Sequence, residues 1–559
     1  MRALKNLSAK YPVRCAGAGV ALFAALAALY ATLTTNAPSF DPKYAIYTDV
    51  SNFYWIQTML DHSLFPRDPL GIYASFRTAT LGYFYTEAPW VWFTALFMRV
   101  TPYSHGLRVL TVMGCAAGAL MVFRMALKSC ARPAAALAAV IFPLYFLSMD
   151  TFFGVPRIYG LLVFIAFLLA AEEKRFLFIP FFIFAAFVVY PAISVGMAFS
   201  ALLMPFAFRE HFSGQKLLPR YALAMALSAL ACLAALWHSL ALSGLVRAFG
   251  GGSGFEIYKL YQFVRKPVNP GNPADMVAYF MLNINEHGYF YPVTSALLGL
   301  VFLAGLRVRS GLRTMIPTSV RATLAGSLAA FAVLYALHPV SASRQMVFII
   351  PMTMVFLAAD GLYRIGGGKS RTTLVAAVAG SIFAVLHLGI GLTTSCRTFG
   401  PVYDYLSALP KDTIVAGHPA SVLLYTAPVF SRKQVFVSDE HRDQYILSLN
   451  RGSDFDAMRS SLLAALYSGS PDKACALRPA YGVNYIVLED DFYTPEYLAQ
   501  KAASASPRDV DIARVAAGSP DPRGFYHYAR GHAAFSWKNA RSGGVVFDLA
   551  GCGEKGARL

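Results

Sequence analysis

At 559 residues, with 57% hydrophobic and only 14% charged residues, the chain is too apolar for an ordinary soluble protein, and its apolar runs are long enough to cross a bilayer. The net charge of +18 does not call for nucleic acid. Membrane proteins gather Lys and Arg in their cytoplasmic loops, and no basic stripe interleaved with aromatics stands outside the apolar runs.

The first apolar run follows Arg2, Lys5, Lys10 and Arg14 and has no small-x-small cleavage site, so it reads as a retained signal anchor with a cytoplasmic N-terminus. Apolar runs near 14–34, 106–127, 133–149, 158–171, 176–189, 191–208, 221–242, 291–306, 321–340, 345–363 and 372–394 predict about eleven transmembrane helices. With the N-terminus inside, Arg124/Lys128/Arg132, Lys174/Arg175, Arg209/Lys216/Arg220, Arg307/Arg309/Arg313 and Arg364/Lys369/Arg371 fall in alternate loops, as the positive-inside rule asks. That alternation requires the short apolar piece from Ala88 to Met98 to lie at the interface without crossing, which Pro89, Trp90 and Trp92 suit.

The expected organisation is a transmembrane domain over 1–394, with outer loops at 35–106 and 243–291, followed by a polar tail over 395–559. In the tail, T413-I-V-A-G, Q434-V-F-V, Y481-G-V-N-Y-I-V-L and G544-V-V-F-D-L read as short buried strands, and Asp454 to Tyr467 as a helix. An extracytoplasmic α/β domain fits, facing the periplasm if the membrane is a bacterial inner membrane. Its three cysteines, Cys396, Cys475 and Cys552, allow one disulfide with one thiol left over; Cys475 with Cys552 is the preferred pairing.

Ionisable groups at a bilayer boundary are expensive and call for a function. Asp49 precedes an amphipathic stretch with Val50, Phe53, Ile56 and Leu60 on one side. An aspartate there caps the helix, and a carboxylate fixed in this way suits a general base. Glu87, before Ala88-Pro89, is a second acid/base candidate, and its bland role is to complete a helix start. Arg157 in G154-V-P-R-I-Y and Arg344 in H338-P-V-S-A-S-R-Q stand in very short outer loops, where a guanidinium can grip phosphate. Arg247, Lys259 and Arg265 are further cations in the 243–291 loop, whose length suits a lid. Asp150 can pair with Arg157, and Tyr85 can stack on a sugar or simply belong to an interfacial aromatic belt. His418, in A416-G417-H418-P419, reads as a satisfied loop histidine.

The order Asp49, interfacial helix, L64-F65-P66-R67-D68-P69, then Y85-T86-E87-A88-P89 opening a short apolar helix resembles the first outer loop of GT-C class membrane glycosyltransferases. The likeness is to the lipid A aminoarabinose transferase and protein O-mannosyltransferase group. The Asp-Glu pair of the mannosyltransferases stands here as Asp49-Val50, and the WWDxG signature of oligosaccharyltransferase catalytic subunits is absent. The resemblance implies a GT-C-like polytopic fold, a polyprenyl-phosphate-linked sugar as donor, a glycan, lipid or protein acceptor, single-displacement inversion, and a role near the acceptor for Asp49. Whether a divalent cation assists stays open, since no ligand spacing is present. Two other readings stand beside it: a glycan polymerase or ligase using a polyprenyl-diphosphate donor, and a lipid-linked substrate transporter or flippase. The latter expects ionisable groups buried mid-membrane, for which the sequence offers little beyond His238 and His387.

Overall fold

The computed structural model describes chiefly residues 12–34, 103–148, 156–190, 193–213, 217–242, 316–337, 348–366, 399–439, 452–503, 507–538 and 543–552, with short pieces such as 45–46, 345–346 and 394–395 between them. The chain divides into two compact units.

The first unit comprises residues 1–40, 87–241 and 245–393 and is helical. Its helices are α1 (Pro12–Thr34), α2 (Tyr103–Ser129), α3 (Arg132–Ser148), α4 (Pro156–Glu172), α5 (Ile179–Val189), α6 (Ser194–Ala207), the single turn α7 (Arg209–Phe212), α8 (Leu217–Leu242), α9 (Thr318–Leu337) and α10 (Ile349–Ile365). Nine of the eleven apolar runs therefore lie on described helices. The runs at 291–306 and 372–394 fall mostly outside the described residues, as does most of the piece from Ala88 to Met98. Stretches of this composition have one way to satisfy their amides and carbonyls in hydrocarbon, which is the helix itself. Three spans, Val13–Tyr30, Val109–Ser129 and Leu217–Ala235, are long and apolar enough to cross a membrane, and the remaining apolar helices are shorter. Exposed Leu223, Leu227, Leu230 and Leu233 on α8 are the surface expected of a helix facing lipid.

Helices α6 and α9 approach each other closely at Gly326. A Cβ on Gly326 would stand 2.4 Å from the Ser200 Cα and 2.5 Å from its N, so only glycine lets the two backbones meet there. The Ser200 hydroxyl donates to the Gly196 carbonyl at 2.5 Å and lies 3.3 Å from the Thr323 carbonyl. The Ser200 hydroxyl thus finds its partners inside the helix pair without water, whereas the buried Thr323 hydroxyl has none among the described residues.

The second unit comprises residues 41–86, 242–244 and 394–559, so part of the stretch read from sequence as an outer loop groups with the tail. Strand β1 (Ala45–Ile46) pairs antiparallel with β2 (Thr394–Ser395), and Lys411 lies 3.4 Å from Asp61. The remaining elements are α11 (Gly400–Ala408), β3 (Ile414–Gly417), α12 (Val422–Phe430), β4 (Gln434–Val435), α13 (Gly452–Leu466), α14 (Asp472–Tyr481), β5 (Tyr485–Glu489), α15 (Pro495–Ala502), α16 (Pro507–Ala517), α17 (Gly524–Gly531), β6 (Phe535–Lys538) and β7 (Gly543–Asp548). A five-stranded sheet has the order β4-β3-β5-β7-β6. Its first three strands are parallel, and β7 and β6 are antiparallel to their neighbours.

The four segments read as strands coincide with β3, β4, β5 and β7, whose fully buried runs are typical of strands covered on both faces. The stretch from Tyr481 begins the strand later than its composition suggests. Gly482, at φ +73°, first closes α14 in the left-handed conformation. Strand β6 had no sequence expectation. It is an edge strand of four residues in which Trp537 is buried while Ser536 and Lys538 face out. Cys475 and Cys552 form a disulfide with Cα atoms 5.7 Å apart, the expected pairing, and it ties α14 to the turn after β7.

Replacing Gly326 by Ala is expected to destabilise the helical unit by roughly 1–3 kcal/mol through overpacking against Ser200. Thermal melts of the detergent-solubilised protein check this, with Gly19→Ala, where a Cβ meets nothing within 4 Å, as the control that loses no stability.

Candidate functional site

The helical unit sorts its polar groups to two ends. At one end α4 begins with Pro156-Arg157, α6 with Ser194 and α10 with Ile349. Several contacts hold these starts together. A Cβ on Gly160 would lie 2.7 Å from the Tyr190 Cβ, and the rings of Tyr190 and Phe164 stand 5.9 and 5.8 Å from that of Phe348. The Gly196 amide donates to the buried Gln345 Oε1 at 2.7 Å, while the Tyr145 hydroxyl points at the Phe348 carbonyl at 3.5 Å. No side chain of the residue before α6 caps that helix, so Gln345, far along the chain, does the capping. Three helix starts gathered at one end direct amide N–H groups and positive dipole ends the same way, an arrangement that favours an anion.

Arg157 stands in the first turn of α4, at this end. Asp49, Glu87, Asp150, Arg344, Arg247, Lys259, Arg265 and Tyr85 lie outside the described residues. Of the sequence-read site, the structure therefore places Arg157 together with the residues adjoining two others: α3, which ends two residues before Asp150, and Gln345, which follows Arg344.

At the other end the cations of alternate loops gather. Arg124 and Arg175 pair with Glu173 at 2.5 and 3.3 Å. Glu172 accepts from the Ser129 hydroxyl at 2.5 Å and from the Ser319 amide at 2.9 Å. Buried Asp360 and Arg364 pair at 2.9 Å one turn apart on α10.

In the second unit, polar groups cluster at the carboxyl ends of the parallel strands. From β3 the chain passes through α12 to β4 on one side and then returns to β5 on the other, so β3 and β5 flank a switch point, the usual crevice of open α/β sheets. His418 follows β3 and is 2% exposed. Its ring stacks on Phe492 with centroids 4.0 Å apart, its Nδ1 accepts from the Ala420 amide at 3.2 Å, and its Nε2 lies 3.4 Å from the Tyr497 hydroxyl. Since Nδ1 accepts, the proton sits on Nε2 and is directed at Tyr497. Burial, helped by the charges of Arg459 and Lys501, pulls its pKa down to about 3, so the imidazole is neutral and satisfied, as a loop histidine was expected to be.

Ser421 caps α12, accepting from the Leu424 amide, and its hydroxyl donates to Glu489 at the end of β5. Burial pushes the Glu489 carboxyl up to about 7 in spite of that hydrogen bond. Asp439 holds buried Arg459 through Nε at 2.6 Å and Nη2 at 3.2 Å. Asp61 accepts from the Ser63 hydroxyl at 2.5 Å and from the Ser63 amide at 3.0 Å, and these bonds hold its carboxyl below the usual range. Gln345 and Glu489 escape sequence reading because each merely ends or begins an apolar run; what gives them importance is a partner that is remote in the chain. Among the described residues no group of His, Cys, Asp and Glu could hold a metal ion.

No protein-family model matches the sequence, and no curated protein matches it significantly. Solved structures do. The oligosaccharyltransferase of Archaeoglobus fulgidus in complex with Zn and sulfate aligns with a TM-score of 0.51 at 13% identity, covering 95% of this chain and 73% of that one. The fold is GT-C-like. The archaeal oligosaccharyltransferase AglB from the same organism, in complex with an inhibitory peptide and a dolichol-phosphate, aligns with a TM-score of 0.48 at 11% identity over 89% of this chain and 72% of that one. The oligosaccharyltransferase of Archaeoglobus fulgidus tethered with an acceptor peptide aligns with a TM-score of 0.46 at 12% identity, over 91% of this chain and 72% of that one. The spanning helices make the chain an integral membrane protein.

Glu489 gives the second unit a pH signature. Its folded pKa lies above the ordinary 4.5, so the stability it contributes is present below about 4.5 and is lost as pH rises to about 7. His418 acts oppositely, its contribution being present above about 6.5 and lost as pH falls towards 3. Glu489→Gln is therefore expected to remove a loss of the order of 2–3 kcal/mol between about pH 5 and pH 8. Hydrogen exchange of the β5 amides in the full-length protein, wild type against variant, reads this directly.

Proposed function

We propose that the protein is a GT-C class glycosyltransferase that moves a sugar from a polyprenyl-phosphate donor to a glycan, lipid or protein acceptor at the outer membrane face. The observation that carries this reading is the GT-C-like fold, aligned over 95% of the chain with an oligosaccharyltransferase. Support comes from the end of the helical unit where Arg157 and three helix starts gather, which suits a leaving phosphate. In this reading about eleven helices span the bilayer, the N-terminus is cytoplasmic, and the 395–559 tail lies outside with the first loop.

Transfer needs an acceptor that loses a proton, an anomeric carbon open to in-line attack, and a neutralised leaving phosphate. Asp49 takes the acceptor proton, and Glu87 assists at the acceptor. Arg157 and Arg344 bind the donor phosphate through their planar guanidinium forks, and Asp150 orients Arg157. Arg247, Lys259 and Arg265 add positive charge as the 243–291 loop closes, and Tyr85 stacks on the sugar. The acceptor oxygen forms the new bond to the anomeric carbon from the face opposite the departing phosphate, which inverts the configuration. A divalent cation, if used, would act on the phosphate; no step above depends on one.

The test is transfer from a panel of radiolabelled polyprenyl-phosphate sugars by the purified protein. Asp49→Asn is expected to lose roughly 100-fold or more in turnover, the range of a general base, with donor affinity kept. Arg157→Gln and Arg344→Gln are expected to weaken donor binding. Equal turnover in Asp49→Asn removes the base role, and transfer from diphosphate-linked donors alone replaces the reading with a polymerase or ligase. Added EDTA shows whether a metal participates.

A further inference from the structure

The end of the helical unit opposite Arg157 contains a cavity of about 730 Å³ between the ends of α2, α4 and α6 and the start of α9. Its lining includes Lys128, Lys174, Arg209 and His211 together with Glu172, Glu173 and Phe206. Glu210, next to Arg209 in α7, also lines it; of the other two carboxylates, Glu172 accepts from Ser129 and the Ser319 amide, and Glu173 pairs with Arg124 and Arg175, so five cations (Arg124, Lys128, Lys174, Arg175 and Arg209) face three carboxylates here. Lys128, Lys174 and Arg209 have no ion-pair partner among the described residues, and all three are exposed.

Two further features shape the cavity. Lys174 has φ +63°. The hydrogen bonds Lys174 N to Ala171 O and Arg175 N to Ala170 O close α4 in a motif whose left-handed position normally holds glycine. A lysine there is held in a costly backbone conformation with its ammonium at the cavity. On the bilayer side, Leu202 and Phe206 stand one turn apart on α6, 62% and 79% exposed. The cavity thus has a cationic mouth at the helix ends and an apolar edge at Phe206, beyond which exposed Leu202 continues along α6.

We infer that this cavity binds the phosphate headgroup of an anionic phospholipid. Lys128, Lys174 and Arg209 hold the phosphate, and an acyl chain lies along Leu202 and Phe206. A soluble phosphate compound would use the same cations but has no need of the apolar edge. This inference is independent of the proposed transferase reaction, since it uses none of the residues assigned to it.

The test titrates the full-length protein in micelles with dioleoylphosphatidylglycerol, dioleoylphosphatidylcholine and inorganic phosphate, counting bound molecules by native mass spectrometry. Saturable binding of one phosphatidylglycerol, not matched by phosphatidylcholine, is expected. Lys128→Gln and Arg209→Gln each weaken it by roughly fivefold, the share of one cation near a lipid phosphate, whereas Arg220→Gln outside the cavity does not. Lys174→Gly separates binding from folding: it relieves the left-handed strain, so the lipid-free thermal midpoint holds or rises while lipid affinity falls. Equal binding of the two lipids, or unchanged affinity in all three cavity variants, overturns the inference. Inorganic phosphate that competes as tightly as the lipid overturns the lipid assignment in favour of a soluble ligand.

Discussion

Charge cannot be left unpartnered in hydrocarbon, and the helical unit is arranged around that constraint. Its helices meet through glycine and serine, with Gly326 against the Ser200 backbone and the Ser200 hydroxyl satisfied by the Gly196 carbonyl. The ionisable groups are left to the two ends, which become chemically distinct. One end carries helix starts, a capping glutamine and Arg157; the other carries paired carboxylates and surplus cations. Oriented amides at the first end and ammonium and guanidinium groups at the second give both a positive potential.

The sheet unit answers a different constraint, because its polar groups are buried away from lipid. Ser421 links the start of α12 to Glu489, and His418 is enclosed by Phe492, Tyr467 and Tyr497. Burial disfavours the charged form of both titratable groups at the switch point, with opposite consequences for stability across pH. This is a closed polar network at the position where related architectures open a crevice, so the switch point works here as core.

Helices and most strands were legible in the sequence because composition alone decides them: long apolar runs give the helices, and I414-V-A, Y485-I-V-L and V545-V-F the buried strands. The disulfide was legible because the tail has few cysteines to choose among. Strand β6 was not, since F535-S-W-K carries a single buried residue and shows itself only through its pairing with β7. The grouping of 41–86 with the tail was equally hidden; among the described residues it shows in two-residue β1 and β2 and in an ion pair between residues 350 positions apart. Of the candidate site, Arg157 stood out as a cation in a short loop, but its company of helix starts and Gln345 depends on packing between distant segments. Periodicity does not encode such packing.

The pairing of β1 with β2 also constrains the path of the chain. Residues Ala45 and Ser395 share a hydrogen-bonded ladder, so both must lie on one side of the bilayer. The polypeptide between them therefore crosses an even number of times, whichever way the molecule is inserted. A change that adds or removes one crossing within that interval would tear the ladder apart before it disturbed any helix.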